Sequence, residues 1–162
     1  MFNFFKKKQD NTFFLGAPVK GKAVDLKEVN DPTFSTGMLG QGVAIIPSEG
    51  KIYAPADGEI AMVFDTLHGV SMTADNGVEI LVHVGLDTVE LKGEGFEGHV
   101  KAGDKVKKGD LLLTVDLDVV KEAGYDTITP MLVCNTDDYA AVEGIFGKDV
   151  MPKDDVVSIK MK

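Results

Sequence analysis

The sequence predicts an all-β domain: an antiparallel β-sandwich or barrel-sandwich hybrid with one or two short helical turns. Three observations carry this. The apolar runs are short, four to seven residues, and rich in Val and Ile, as strands are. Gly, Pro, Asp and Asn separate them at regular intervals, the spacing of a sandwich or barrel. Asp75-Asn76-Gly77 lies between two such runs, and an Asn-Gly pair there is the strongest short-range hairpin signal.

Taken in order, residues 1–16 read as a flexible leader and residues 17–162 as the folded domain. In the leader, Phe2, Phe4, Phe5, Phe13 and Phe14 bracket Lys6, Lys7 and Lys8. The plain expectation is a disordered terminus. The sharper one is a weak contact with an anionic membrane surface, phenylalanines inserted and lysines on headgroups. Strands are expected at Gly42–Pro47, Lys51–Ala54, Glu59–Phe64, Val78–Val84, Leu111–Val115, Thr129–Asn135 and Val156–Met161. Glu28–Met38 reads as loop or one helical turn. Asp116–Gly124 is the best helix candidate, with Gly124 as its stop signal. Gly103-Asp104 and Gly109-Asp110 mark two tight turns in close order.

The hairpin sets the direction of its side chains. A two-residue turn at Asn76-Gly77 makes Asp75 face Val78, His68 face Gly85 and His83 face Val70. Both imidazoles then share a face as diagonal neighbours, about 7–8 Å apart at the backbone. Val78, Ile80, Val82 and Val84 form the inward face, since strand side chains alternate. Thr66 shares the direction of His68 if the strand is regular. A one-residue change in turn length would reverse this parity.

Composition narrows the function classes. The 162 residues suit one domain with its own core. The net charge of −9 argues against nucleic-acid binding and favours a basic or mixed-charge protein partner. The single cysteine, Cys134, cannot close an internal disulfide; it sits in an apolar run and is expected to be a buried small residue. No secretory signal and no bilayer-length apolar stretch is visible, so the cytosol is the expected compartment.

Two imidazoles on an open β-face allow three kinds of chemistry. One neutral ring nitrogen can attack phosphorus while the second, oriented by a hydroxyl such as Thr66, donates a hydrogen bond to the phosphate oxygens. Alternatively His68 and His83 are metal ligands. A catalytic zinc needs at least three protein ligands, and only Asp87 offers itself as a third. The third reading is structural, as satisfied core histidines; two histidines on one open face weaken it.

The run Gly77–Val89, with His83 between aliphatic residues and followed by Gly85 and Thr88, closely resembles the phosphorylation-site signature of the glucose-type enzyme IIA family. These are phosphocarriers of the bacterial phosphoenolpyruvate-dependent sugar phosphotransferase system. Ser48-Glu49-Gly50, Glu90–Phe96 and Thr127–Pro130 extend the resemblance, which covers the chain from about Pro18 onward. It implies a duplicated hybrid β-sandwich that takes a phosphoryl group from phospho-HPr on His83, through Nε2, and passes it to a cysteine of a sugar-specific IIB domain of a permease. Cys134 is not that cysteine.

By the same resemblance His68 binds the phosphoryl group and Thr66 orients His68. Gly85, Leu86 and Asp87 line the site, and Asp31 meets an arginine of HPr. Phe34, Met38, Leu39, Phe64 and Leu81 form the apolar docking ring. HPr, the IIB domain and regulatory proteins are the implied partners. No cofactor is required; zinc at a partner interface, between His68 and His83, is the one metal site implied. Gly69 stands where the family often has Ala, which is expected to loosen the strand.

Two rivals remain. The Gly-Asp turns also mark biotinyl and lipoyl carrier domains, but these need a modifiable lysine on a nearby hairpin, and Thr114–Asp118 has none. A zinc peptidase on a related scaffold would need a closely spaced His-x-His, which Val82–Gly85 lacks.

Overall fold

The computed structural model describes residues 11–162. Among them, fourteen strands run β1 (Thr12–Gly16), β2 (Gly21–Val24), β3 (Gln41–Pro47), β4 (Lys51–Tyr53), β5 (Gly58–Val63), β6 (Gly69–Ala74), β7 (Glu79–His83), β8 (Phe96–Gly98), β9 (Lys105–Val106), β10 (Leu111–Val115), β11 (Thr129–Val133), β12 (Ala141–Gly144), β13 (Lys148–Val150) and β14 (Asp155–Lys160). They form an eight-stranded sheet, β13-β2-β3-β11-β7-β6-β5-β9, and two three-stranded sheets, β4-β10-β8 and β1-β14-β12. Every pairing is antiparallel, as the short alternating runs require.

The main core collects the inward side chains of all three sheets, among them Ile45, Met72, Ile80, Val82, Ile52, Leu112, Leu15 and Ile159. A second, smaller core lies on the outer face of the large sheet. There Leu26, Val29 and Phe34 cover Ala44, Leu86, Ile128 and Leu132. The covering segment is a short 3₁₀ turn (Leu26–Glu28) followed by α1 (Pro32–Ser35), the latter within the Glu28–Met38 stretch that read as loop or one helical turn. Asp31 starts α1 by accepting a hydrogen bond from the Thr33 amide at 3.0 Å, and Pro32 takes a position where no amide is needed.

The Asp116–Gly124 helix is present as α2 (Leu117–Glu122). Asp116 caps it by accepting from the amides of Asp118 and Val119, and Gly124 ends it in a left-handed conformation.

Three expectations need correction. Residues 12–16, assigned to the leader, are β1: they pair with β14, and Leu15 is wholly buried. Residues 1–10, and the proposed membrane contact of that leader, lie outside the described residues. Cys134 is exposed at the end of β11, because alternation puts it on the outer face with Leu132 and it lies one residue past the strand, outside the second core that covers Leu132. Although the residue is exposed, its sulfur is partly screened from water, and that with the Glu79 carboxylate pushes the thiol up.

The third correction concerns register. His83 pairs with Gly69 and Val82 with Val70, one step from the expected pairing. The turn holds three residues, not two. The Gly77 amide donates to the Ala74 carbonyl at 2.8 Å, the Ala74 amide to the Val78 carbonyl at 2.8 Å, and Gly77 is left-handed at φ +94°. This is a type I turn closed by a glycine bulge. β5 carries a second irregularity: Ile60 pairs with Met72 but Met62 with Ser71, so Ala61 is an extra residue that bulges out.

The Gly-Asp turns are near copies. Asp104 accepts from the Lys101 amide at 2.9 Å and Asp110 from the Lys107 amide at 2.8 Å, each beside a left-handed glycine. Met151–Asp154 is a third copy, with Asp154 accepting from the Met151 amide at 2.8 Å and Lys153 in the left-handed place. The lysine hides this turn from sequence inspection.

Candidate active site: two imidazoles on the outer sheet face

His83 is the last residue of β7, and its direction follows from strand alternation. Val78, Ile80, Val82 and Val84 are buried, so Leu81 and His83 face outward, half-buried. His68 arrives differently. It lies in the loop between β5 and β6, after Leu67, which is left-handed at φ +62°. By the observed register a regular strand would have sent His68 into the core with Val70. The turn at Leu67 frees it from that parity, and its ring stands edge-on to His83, centroids 4.9 Å apart at 83°.

Each ring is fixed through its Nδ1. That of His83 is 2.8 Å from the Gly85 carbonyl oxygen; a carbonyl only accepts, so Nδ1 carries the proton and Nε2 the lone pair. That of His68 is 2.6 Å from Thr66 Oγ1. Both rings are held neutral. Desolvation, reinforced by His83, brings His68 down to about 4, and the residue is 6% exposed. For His83, desolvation outweighs the Gly85 carbonyl, Asp31 and Asp87, all of which favour the charged form, and the net shift is downward.

Aromatic rings brace the pair. Phe34 lies 4.9 Å from His83 on one side; Phe64 lies edge-on to His68 at 5.0 Å and to His83 at 6.3 Å. Gly69 was expected to loosen the strand. Instead a Cβ there would lie 2.7 Å from Phe64 Cε2, so the missing side chain is the seat of the Phe64 ring beside His83. Asp87, left-handed at φ +60°, is exposed and makes no capping bond with its side chain.

The expected docking ring divides. Met38 is 73% exposed and Leu39 is also exposed, while Phe64 and Leu81 are half-buried. Phe34 is only 4% exposed and Leu86 and Gly85 are buried, so these three offer no face to a visitor. Phe34 and Leu86 belong to the second core, which the sequence did not reveal, and support the site from beneath. One exposed apolar residue of this face was missed, Met62. The bulge at Ala61 sets Met62 opposite Ser71, and Ser71 is opposite Leu81, so Met62 extends the face that carries His83.

Among the described residues no three His, Cys, Asp or Glu side chains converge as metal ligands. The pair leaves two Nε2 atoms, short of the three protein ligands a zinc site takes, so the residues do not fit a resident zinc. Nor does a carrier-domain lysine fit, since Thr114–Asp118 leads from β10 into α2, not into a hairpin. No helix among the described residues is long and apolar enough to cross a membrane.

Residues 14–139 match the family model for the phosphoenolpyruvate-dependent sugar phosphotransferase system, EIIA 1. The PTS system glucose-specific EIIA component of Oceanobacillus iheyensis is 44% identical over 140 residues, 86% of this chain and 85% of that one. The PTS system glucosamine-specific EIICBA component of Bacillus subtilis is 52% identical over 131 residues, 81% of this chain but 20% of that protein. The B. subtilis PTS system beta-glucoside-specific EIIBCA component is 49% identical over 124 residues, 76% of this chain, which again spans 20% of the relative's length. Among solved structures, glucose permease IIA from Mycoplasma capricolum superposes with a TM-score of 0.83 at 36% identity, over 91% of this chain and 95% of that one. The outward His83 and the His68 buried beside it thus stand on a shared fold, and the chain belongs to the EIIA 1 family of the phosphoenolpyruvate-dependent sugar phosphotransferase system.

Proposed function

We propose that this chain is a cytoplasmic phosphoryl carrier: His83 takes a phosphoryl group from the phosphohistidine of HPr and hands it to a cysteine of a sugar-specific IIB domain. One observation carries the reading: two neutral imidazoles, each tied back through Nδ1, meet at 4.9 Å, the half-buried His83 facing outward and the buried His68 beside it.

The lone pair on His83 Nε2 attacks phosphorus as the donor's N–P bond breaks, and the donor imidazole leaves with that electron pair. No proton need move at His83, because Nδ1–H stays on the Gly85 carbonyl. The phosphorylated ring gains positive charge, which the Gly85 carbonyl, Asp31 and Asp87 stabilise. With Thr66 donating its hydroxyl proton to Nδ1, His68 presents Nε2–H to the phosphoryl oxygens and steadies the charge spread over them. In the second transfer a thiolate attacks phosphorus and His83 departs neutral.

Docking is read as an apolar centre with an acidic rim: Met38, Leu39, Phe64, Leu81 and Met62, with Asp31 and Asp87 meeting basic groups of the partner. Relatives whose A, B and C components share one chain support IIB as the acceptor. A zinc ion between His68 and His83 would need a carboxylate from a docked partner, and it plays no part in the transfer.

The test is incubation with phosphoenolpyruvate, enzyme I and HPr. Acid-labile, base-stable phosphate should map to the peptide holding His83 and vanish in His83→Ala. Labelling that survives in that variant would end the proposal.

A further inference from the structure

The tautomer of His83 depends on where the Gly85 carbonyl points, and that direction is set by the loop around it. The Gly85–Leu86 peptide is fixed at its amide end: Leu86 N–H donates to the Asp126 carbonyl at 3.0 Å. In a trans peptide the carbonyl then points the opposite way, towards His83 Nδ1. The preceding amide, of Gly85, donates to the Ile128 carbonyl at 3.0 Å.

The other end of this loop is closed by one side chain. Thr88 is wholly buried. Its hydroxyl donates back to the Val84 carbonyl at 2.6 Å, and a Cβ at Gly85 would lie 2.6 Å from its methyl, Cγ2. The threonine therefore spans the loop on both its atoms, hydroxyl on Val84 and methyl over Gly85. Gly85 at φ +80° and Asp87 at φ +60° are both left-handed, and a non-glycine residue stays there only where its surroundings hold it.

We propose that Thr88 is a positioning residue: it locks the 84–88 loop so that the Gly85 carbonyl keeps the His83 proton on Nδ1 and the lone pair on Nε2, facing the partner. This rests on the reading of His83 as acceptor. Without the lock the carbonyl drifts, and a neutral ring is free to place its proton on Nε2, where it cannot attack phosphorus.

The test reads the ring directly. Nitrogen-15 shifts of the His83 imidazole are recorded at pH 8 for the full chain, Thr88→Val and Thr88→Ser. The parent should show one tautomer, Nδ1–H. Thr88→Val should show a mixture and accept phosphate from phospho-HPr about 3- to 10-fold more slowly at saturating donor, the worth of one hydrogen bond, with KM unchanged. Thr88→Ser, which keeps the hydroxyl, should restore both. Should the valine variant fail to fold, the smaller Thr88→Ala carries the same comparison. An unchanged tautomer in a folded variant without the hydroxyl overturns the proposal, whatever the rate. A changed tautomer in a chain whose label maps away from His83 supports the positioning and removes the carrier reading.

Discussion

His83 and His68 reach the same patch by opposite means. His83 rides a regular strand, takes its direction from alternation, and is held by a main-chain carbonyl. His68 rides a loop, takes its direction from a left-handed leucine, and is held by a neighbouring hydroxyl. A group held by the main chain has little freedom and suits a fixed acceptor. One held by a side chain can shift as phosphate oxygens arrive and leave. On the proposed carrier reading, the difference separates loading from unloading.

The largest effect should come from removing the loop-borne ring. His68→Gln keeps its partner Thr66 within reach and should still be loaded by phospho-HPr. Onward transfer to IIB should fall by about 10²-fold, the usual cost of one donor to a charged transition state. Normal onward transfer in a stopped-flow assay would give His68 no part in unloading.

Acid should sharpen the contrast. Above pH 6.5 the His68 ring is neutral in both folded and unfolded chains, and its shift contributes nothing. Between 6.5 and about 4 the unfolded chain takes a proton that the folded chain refuses. Stability therefore falls as pH falls through that window, by up to about 3 kcal/mol. Urea midpoints at pH 7 and pH 4.5 should separate less in His68→Gln than in the parent; equal separations would mean His68 is not the group that resists the proton.

The smallest effects distinguish two left-handed residues. Leu67→Gly relieves a backbone cost of about 1–2 kcal/mol but adds chain entropy of about 0.5–1 kcal/mol. Its stability should hardly change, while onward transfer drops several-fold as His68 loses its aim. Gly77→Ala, at the far end of β6, should lose about 1 kcal/mol and leave both transfers intact. Thermal melts paired with transfer rates read both, and a Leu67→Gly chain with normal transfer would make the leucine's conformation incidental.

Strand alternation was legible wherever it depends on one strand alone. The buried face of β7 and the stop of α2 could be read directly. What depended on two strands was not. Asn76-Gly77 announces a hairpin but not its loop length, and the expected register was one residue out. The histidines still converge, because Leu67 breaks the strand just before His68 and cancels the shift. Nothing in the residue types around Leu67 marks a left-handed leucine.

Phe34 was misplaced on the surface for a related reason. The second core is built by a segment of low regularity folding over the outer sheet face, and residues 26–34 carry no periodic pattern to announce it. Lys153 hid a turn by standing where glycine does the same work elsewhere.

Ala61 adds one residue to β5 that β6 does not match. Were that alanine paired with Ser71, as in a regular strand, Met62 would fall opposite Val70 and point beneath the sheet, leaving a bare strip next to Leu81. His83 and its tether at Gly85 belong to another strand and would keep their place, yet a visiting protein would find less to grip. In the proposed carrier, recognition is thus addressed separately from reactivity, by a single spare alanine on β5, two strands away from the one that carries His83.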